Sequence, residues 1–106
     1  MEIKKLNTVQ DFELANGTVV KMTLTYYSLY QLKTKKKNVY ERYNQIMVQG
    51  PKEELDNVTI LYTAYLCANL NNIDECMSDI EFMQNMPQDR KYVANILTAL
   101  TGPQKK

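Results

Sequence analysis

The chain has 106 residues, of which 44% are hydrophobic and 24% are charged, and its formal net charge is +1. This length and composition are typical of a single globular domain and argue against a wholly disordered chain. The sequence has no histidine, two cysteines and three glycines. It therefore lacks the usual acid–base residue, the usual activator of a cysteine nucleophile, and a glycine-rich phosphate loop.

The N-terminus and the apolar runs predict where the chain resides. No apolar run approaches the roughly 18 residues that a membrane-spanning helix needs. The first seven residues, Met1 to Asn7, lack the apolar block of a signal peptide. We therefore expect one domain over residues 1–106 that stays in the cytoplasm and has no membrane partner.

Charge is distributed unevenly along the chain. Residues 1–50 carry eight basic and four acidic residues, a net of +4, whereas residues 51–106 carry five and eight, a net of −3. Such an asymmetry could favour head-to-tail self-association or an acidic partner at the basic end, or it could reflect solvated helix faces alone. The basic excess lies at Lys33, Lys35, Lys36 and Lys37, and the acidic excess at Asp74, Glu75, Asp79 and Glu81.

Asn16–Gly17 is the clearest local signal, because it lies between two stretches with strand-like alternation. A three-residue loop with Gly17 in a left-handed conformation pairs Phe12 with Val20 and opposes Asp11 to Lys21. A two-residue turn would set apolar residues against polar ones, so we predict the three-residue loop, Ala15–Gly17. One face of the hairpin then collects Phe12, Leu14, Val20, Met22 and Leu24. Residues 3–6 are a candidate for a further short strand.

After the hairpin the apolar period changes from two to about 3.6, which predicts helices. The first helix is expected over residues 26–36 and the second from Val39 to Val48. The first helix is expected to carry Tyr26, Leu29, Tyr30 and the stem of Lys33 on one side. The predicted stripe of the second helix carries Val39, Tyr40, Tyr43, Ile46 and Met47.

Gly50–Pro51 marks a boundary between helices. It reads as a glycine C-cap followed by a proline at a new helix start, with Glu53 and Glu54 in the first turn. The third helix, about residues 52–70, is apolar around most of its circumference. A helix of this kind is either central to the core or covered by a partner.

Two shorter helices are predicted after the third. Asn72 followed by Glu75 resembles a capping box, which predicts a fourth helix from Ile73 to about Asn85. Its predicted inward residues are Cys76, Met77, Ile80 and Met83, whereas Phe82 falls off that stripe. Pro87 is expected to open the last helix, whose stripe is Tyr92, Val93, Ile96, Leu97 and Leu100.

The predicted fold class is therefore mainly α, with an N-terminal β-hairpin followed by a bundle of four or five short helices. The hairpin takes up about residues 8–25 and the helical body about residues 26–100. Gly102–Pro103 is expected to end the last helix, and residues 102–106 to form a frayed tail.

Residues that could carry chemistry do not form a catalytic or metal-binding pattern. Ser28 and Ser78 lie outside any nucleophile-elbow motif, and Cys67 and Cys76 lack the spacing of metal ligands. The acidic cluster of Asp74, Glu75, Asp79 and Glu81 lies at a predicted helix start, where the helix dipole favours acidic residues. The cluster also lacks the central glycine of a calcium loop. We therefore predict no enzymatic activity, no metal and no cofactor.

Tyrosines and lysines form the candidate binding residues. Five of the eight tyrosines precede Gly50, and a basic run from Lys33 to Lys37 lies beside them. Tyrosine supplies rigid contact area with a polar tip and is enriched at interfaces. An alternative is that Tyr30, Tyr40 and Tyr43 line the edge of the core. The predicted partner-binding residues are Tyr26, Tyr27, Tyr30, Lys35, Lys36 and Lys37.

Basic residues interleaved with aromatics can also hold nucleic acid through phosphate contacts and base stacking. The near-neutral net charge and the absence of a recognition signature argue against that partner. Lysines at a helix end also complement its carbonyl groups without any partner.

In the order and residue composition of its predicted elements, the chain resembles the tail assembly chaperones of long-tailed bacteriophages and prophages. The resemblance covers nearly the whole chain, and it provides no catalytic motif to transfer. It rests on the hairpin sequence of residues 12–18, the Tyr/Leu-rich helix of residues 26–32, the long apolar helix around residues 60–66 and the acidic helix start at residues 72–75.

The resemblance implies a non-enzymatic role in tail morphogenesis. Such chaperones bind the tape-measure protein, and/or tail-tube subunits, in the host cytoplasm, and they are absent from the finished virion. Many have a longer form made by ribosomal frameshifting, and residues 104–106 could be encoded by an A-rich slippery run. We also expect self-association, because a lone two-stranded hairpin is marginal in water.

Two other function classes stay open at this point. One is a small phage or mobile-element regulator that binds nucleic acid through the basic helix. The other is a structural subunit of the tail or of the head–tail junction.

Overall fold

An antiparallel β-hairpin leads into a helical body in the computed structural model, which describes residues 9–101. This arrangement confirms the predicted fold class. The candidate strand at residues 3–6 and the predicted tail at residues 102–106 lie outside the described residues. In chain order the elements are β1 (Val9–Glu13), β2 (Val19–Thr23), α1 (Tyr26–Lys35), α2 (Lys37–Gln49), α3 (Glu54–Cys67), a 3₁₀ helix (Leu70–Glu75), α4 (Asp79–Gln84) and α5 (Arg90–Thr101).

The hairpin has the predicted register and loop. Phe12 pairs with Val20 and Asp11 with Lys21, whose Nζ lies 2.6 Å from the Asp11 Oδ1. Gly17 takes the positive φ of 90° that the three-residue loop requires. The face predicted to be apolar turns inward, with Phe12, Leu14 and Met22 buried and Val20 and Leu24 packed beside them.

α3 lies at the centre of the core, as its apolar circumference predicts. It contacts β2, α1, α2, α4 and α5. Gly50 caps α2 at φ 85°, and Glu53 and Asp56 form the capping box that starts α3. Pro51 therefore precedes the helix by three positions and does not open it, so α3 is shorter than predicted. Its buried residues are Ile60, Leu61, Thr63, Ala64, Tyr65, Leu66 and Cys67.

The predicted fourth helix over residues 73–85 is wrong. The chain instead leaves the 3₁₀ helix, passes through an extended segment at residues 76–78 and enters the six-residue α4. Two tyrosines of α3 hold that extended segment by its backbone: the Tyr62 hydroxyl donates to the Met77 carbonyl at 2.8 Å, and the Met77 N–H donates to the Tyr65 hydroxyl at 2.9 Å. Ser78 and Glu81 form the capping box, so the helix begins there and not at Asn72.

This later start also changes which face of α4 is buried. Phe82, predicted to lie off the stripe, is fully buried, whereas Ile80 and Met83 are exposed. The Phe82 ring lies among those of Tyr65, Tyr62 and Phe12, with centroids 5.4, 5.5 and 6.3 Å away. An aromatic cluster between the hairpin, α3 and α4 therefore forms part of the core.

α5 packs its predicted apolar stripe against the core, and the five residues of that stripe are all partly buried. The helix begins at Arg90, three residues after Pro87, and the Asp89 carboxylate accepts the Tyr92 N–H at 3.1 Å. The Tyr92 hydroxyl accepts the Glu13 N–H at 2.8 Å, which ties α5 to β1. Within residues 9–101, none of the helices has the length and apolarity needed to cross a membrane.

Candidate functional site

α1 and α2 form two walls of an open groove. They are joined by a single residue, Lys36, whose φ of −139° and ψ of 73° break the helix and let α2 fold back along α1. The groove has a volume of about 430 Å³. Each wall follows the i, i+3, i+4, i+7 spacing of one helix face. The α1 wall is Tyr26, Leu29, Tyr30 and Lys33, and the α2 wall is Tyr40, Tyr43, Asn44 and Met47.

Three tyrosines of α1 are exposed to solvent. The exposed fraction is 93% for Tyr26, 69% for Tyr27 and 64% for Tyr30. Tyr26, Leu29, Tyr30 and Lys33 share one side of α1, as the spacing predicts, and the alternative that Tyr30 lines the edge of the core is wrong. α1 buries Leu29 and Leu32, because an aliphatic side chain gains from burial without a hydroxyl that needs a partner.

The buried face of α1, which carries Leu29 and Leu32, also includes the small residue Ser28. Ser28 is buried, and its hydroxyl donates to the Thr25 carbonyl at 2.9 Å. The Thr25 side chain in turn accepts the Ser28 N–H at 3.1 Å, which caps the helix. These local hydrogen bonds fix the first turn of α1. The position of this first turn determines the directions in which the tyrosine side chains extend from the helix.

Ring contacts organise the groove. Tyr40 and Tyr43 lie with centroids 6.5 Å apart, and the Lys33 Nζ lies 5.5 Å from the Tyr40 centroid in a cation–π contact. Tyr43 is buried, and this burial raises the pKa of its hydroxyl. Tyr27 lies outside the groove lining and stacks on Tyr30 at 6.5 Å. The groove therefore has an apolar floor and a rim of exposed rings.

The lysines of the basic run differ in their surroundings. Lys36 is half-buried with its Nζ 3.8 Å from Asp74, and Lys37 lies 3.8 Å from Glu41. The basic and acidic segments of the sequence thus meet within one molecule, which neutralises part of the charge asymmetry. Lys33 and Lys35 are exposed, and neither has an acidic partner within residues 9–101.

The other candidate chemical groups have structural roles. Burial raises the pKa of the Cys67 thiol to about 11 and also raises that of Cys76, so both thiols are protonated at neutral pH. The Ser78 hydroxyl accepts the Glu81 N–H at the start of α4. Among the described residues, no three His, Cys, Asp or Glu side chains are grouped to hold a metal ion.

The structure brings some predicted residues together and adds others that the sequence reasoning missed. Tyr26 and Tyr30 line the groove and Tyr27 stacks on Tyr30 beside it, whereas Lys35 lies on the opposite face of α1. The α2 wall was missed as a binding surface, although residues 26–33 and 40–47 repeat one helical spacing on either side of a short break. The chain matches no protein-family model, no curated protein and no solved structure. The groove is therefore interpreted from its own residues.

Proposed function

We propose that this protein is a non-enzymatic tail assembly chaperone of a long-tailed bacteriophage or prophage. It binds the tape-measure protein, and/or tail-tube subunits, during tail assembly. The sequence resemblance supplies the family. The observation that carries the proposal is the exposure of three neighbouring tyrosines on α1, of which two form the rim of an apolar groove.

Exposed tyrosines favour reversible binding. A tyrosine buries up to about 150–250 Å² of surface when covered, and it loses little conformational entropy because it has few rotatable bonds. The lining residues span eight positions on each of α1 and α2, so the groove is about 12 Å long. A contact of that length covers about two turns of a partner helix, which suits a weak, transient interface.

A helical client with an apolar face fits this surface. The resemblance implies that the client is a long helical protein that aggregates when its apolar faces are uncovered. Helix-in-groove recognition covers such a face with aromatic and methionine side chains. Because it needs no reactive group, this role agrees with the protonated thiols and with a sequence that lacks histidine.

The first test is the gene neighbourhood followed by co-expression. We expect a tail-tube gene upstream and a very long tape-measure gene downstream. The neighbouring tape-measure protein, expressed with this protein, should stay in the soluble fraction. The double variant Tyr26→Ser with Tyr30→Ser should lose that effect, whereas Val48→Ser with Ile80→Ser, which alters two exposed apolar residues outside the groove, should keep it.

Two results would contradict the proposal. One is a tape-measure protein that is equally insoluble with and without the wild-type chain. The other is detection of this chain by mass spectrometry at stoichiometric levels in purified virions, which would indicate a structural tail or head–tail joining subunit.

Nucleic-acid binding is the second candidate, favoured by the exposed Lys33 beside the Tyr40 ring. Phosphate contacts weaken steeply as salt rises, whereas apolar contacts hold or strengthen. Measuring the affinity for single-stranded DNA and for the tape-measure protein over a salt series separates the two functions.

A further inference from the structure

We infer that the α1–α2 groove binds an amphipathic helix that carries acidic residues at the end lying beside Lys33. This inference rests on the proposed function and names the kind of client segment that the groove receives.

The shape of the groove selects a helix. Its two walls present side chains at the i, i+3, i+4, i+7 positions of α1 and α2, so the ridges of both walls have the spacing of a third helix packed between them. Leu29 and Tyr43 form a buried floor, and Tyr26, Tyr30 and Met47 stand at its edges. Apolar side chains of the incoming helix, spaced three and four residues apart, reach that floor.

Charge lies at one end of the groove only. Lys33 stands at the end next to the α1–α2 connection and is the charged residue of the groove lining. Lys35 lies two positions further along α1, on the helix face opposite the groove. The opposite end of the groove is formed by Tyr26 and Met47, which carry no charge. Within the basic run, Lys36 and Lys37 already face Asp74 and Glu41, so Lys33 is the cation of that run that remains at the groove. Acidic residues at the corresponding end of the client helix complement it and set its direction.

A second copy of this chain fits the groove less well. Its acidic apolar segment is α4, with Asp79 and Glu81 beside the exposed Ile80 and Met83. α4 has six residues, fewer than the eight that each wall of the groove spans, and its buried Phe82 already holds one face of this helix against the core. Nucleic acid also fits less well, because a phosphate backbone would meet positive charge at one end and an apolar floor elsewhere.

The probe is a pair of designed, fluorescently labelled helical peptides of about 14 residues, which are long enough to extend beyond the groove at both ends. Both have leucines at i, i+3, i+4 and i+7. One carries two glutamates in its terminal turn and the other carries two lysines at the same positions. The full chain should bind the glutamate peptide about fivefold more tightly at low salt, and the preference should fall towards one at high salt, where exposed charges are screened.

Two matched pairs of variants locate the binding. Tyr30→Ala should raise the Kd for the glutamate peptide about tenfold, whereas Tyr27→Ala should change it less than about twofold. These tyrosines lie on the same helix with similar exposure, and only Tyr30 lines the groove. Lys33→Glu should reverse the preference between the peptides, whereas Lys91→Glu, which makes the same charge change on α5, should leave it intact.

The possible results separate this inference from the proposed function. Equal effects of Tyr30→Ala and Tyr27→Ala, or a peptide preference unaltered by Lys33→Glu, would overturn the groove assignment even if the tape-measure protein is captured. A groove that binds the glutamate peptide as described, in a chain that does not bind the tape-measure protein, would support this inference and contradict the proposed function. A dimer that dissociates on Tyr30→Ala, or tighter binding of single-stranded DNA than of either peptide, would assign the groove to another occupant and overturn the inference.

Discussion

Replacing Phe82 with alanine tests which face of α4 packs against the core. The sequence pattern of α4 places Ile80 and Met83 inward and Phe82 off the stripe. In the structure Phe82 is fully buried among three aromatic rings, and Ile80 is 59% exposed. With Phe82 buried, Phe82→Ala should lower the free energy of unfolding more than Ile80→Ala does. With the sequence-predicted face buried, the order of the two variants would be reversed.

The expected loss of free energy of unfolding follows from how far each side chain is buried. Removing a fully buried phenylalanine costs about 3–5 kcal/mol of the free energy of unfolding, and the loss of three ring contacts favours the upper part of that range. Ile80→Ala removes a side chain that is mostly in solvent and should cost about 0.5–1 kcal/mol. For a chain of this size the first change lowers the Tm by roughly 15–30 °C and the second by about 5 °C.

The assay is thermal and urea unfolding followed by circular dichroism. Phe82→Leu is included because it retains most of the volume and should cost about 1–2 kcal/mol, which keeps the comparison measurable if Phe82→Ala fails to fold. An Ile80→Ala variant that is destabilised as much as Phe82→Ala or more would refute the buried position of Phe82 and restore the sequence-predicted face of α4.

A cap, a turn and a buried thiol each give a further measurable change. Ser78→Ala should lower the free energy of unfolding by about 1 kcal/mol, because Ser78 caps α4, whereas Asn72→Ala should change it by less than about 0.5 kcal/mol; urea unfolding distinguishes them. Gly17→Ala should cost about 1 kcal/mol by the same measurement, since its φ of 90° strains any residue with a Cβ, although nothing lies within 4 Å of the added atom. Burial raises the pKa of Cys67 from its ordinary 9.0 to about 11, so above pH 9 the unfolded thiol ionises first. From this group, stability should then fall by up to about 1.4 kcal/mol per pH unit. Burial also raises the pKa of Cys76 and of Tyr43, so the test is the difference between the two chains, and equal slopes between pH 9 and 10 in the wild type and in Cys67→Ala would contradict this assignment.

The hairpin could be predicted in detail because its determinants are local. Asn16–Gly17 restricts the loop, and the alternation of apolar residues restricts the register to the one that buries Phe12. The central position of α3 could also be predicted, because a helix that is apolar nearly all round has no solvent face. In both cases the residues that determine the structure lie within a single stretch of the chain.

The start of α4 could not be predicted, because two stretches satisfy the same local rule. Asn72 with Glu75 and Ser78 with Glu81 both have the spacing of a capping box. The choice between them is made by Tyr62 and Tyr65, which bond the backbone of Met77 from α3. A hydrogen bond between residues 12 or 15 positions apart leaves no periodic trace in the sequence.

The sequence predicts that Tyr26, Leu29 and Tyr30 share one side of α1, but periodicity alone does not tell whether that side is buried. Tyrosine counts as apolar in a periodic pattern, so a stripe that contains Tyr26 and Tyr30 reads as a core face. Leu29 belongs both to that stripe and to the face that packs inward with Leu32. In a helix of ten residues the two faces are not distinguished by period alone, and the chemical difference between a leucine and a tyrosine decides between them.

Two groups among the tyrosines of this chain have different physical roles. The hydroxyls of Tyr62, Tyr65 and Tyr92 each bond a backbone group far along the chain, and their rings contact Phe12 or Phe82 in the aromatic cluster, so these residues stabilise the fold. Tyr26 and Tyr27 are exposed, and their hydroxyls make no hydrogen bond within residues 9–101. A polar helix former at these positions would keep α1 equally helical and expose less apolar surface. The proposed client contact gives these rings a role, and the open groove beside Tyr26 is the surface on which we expect that contact.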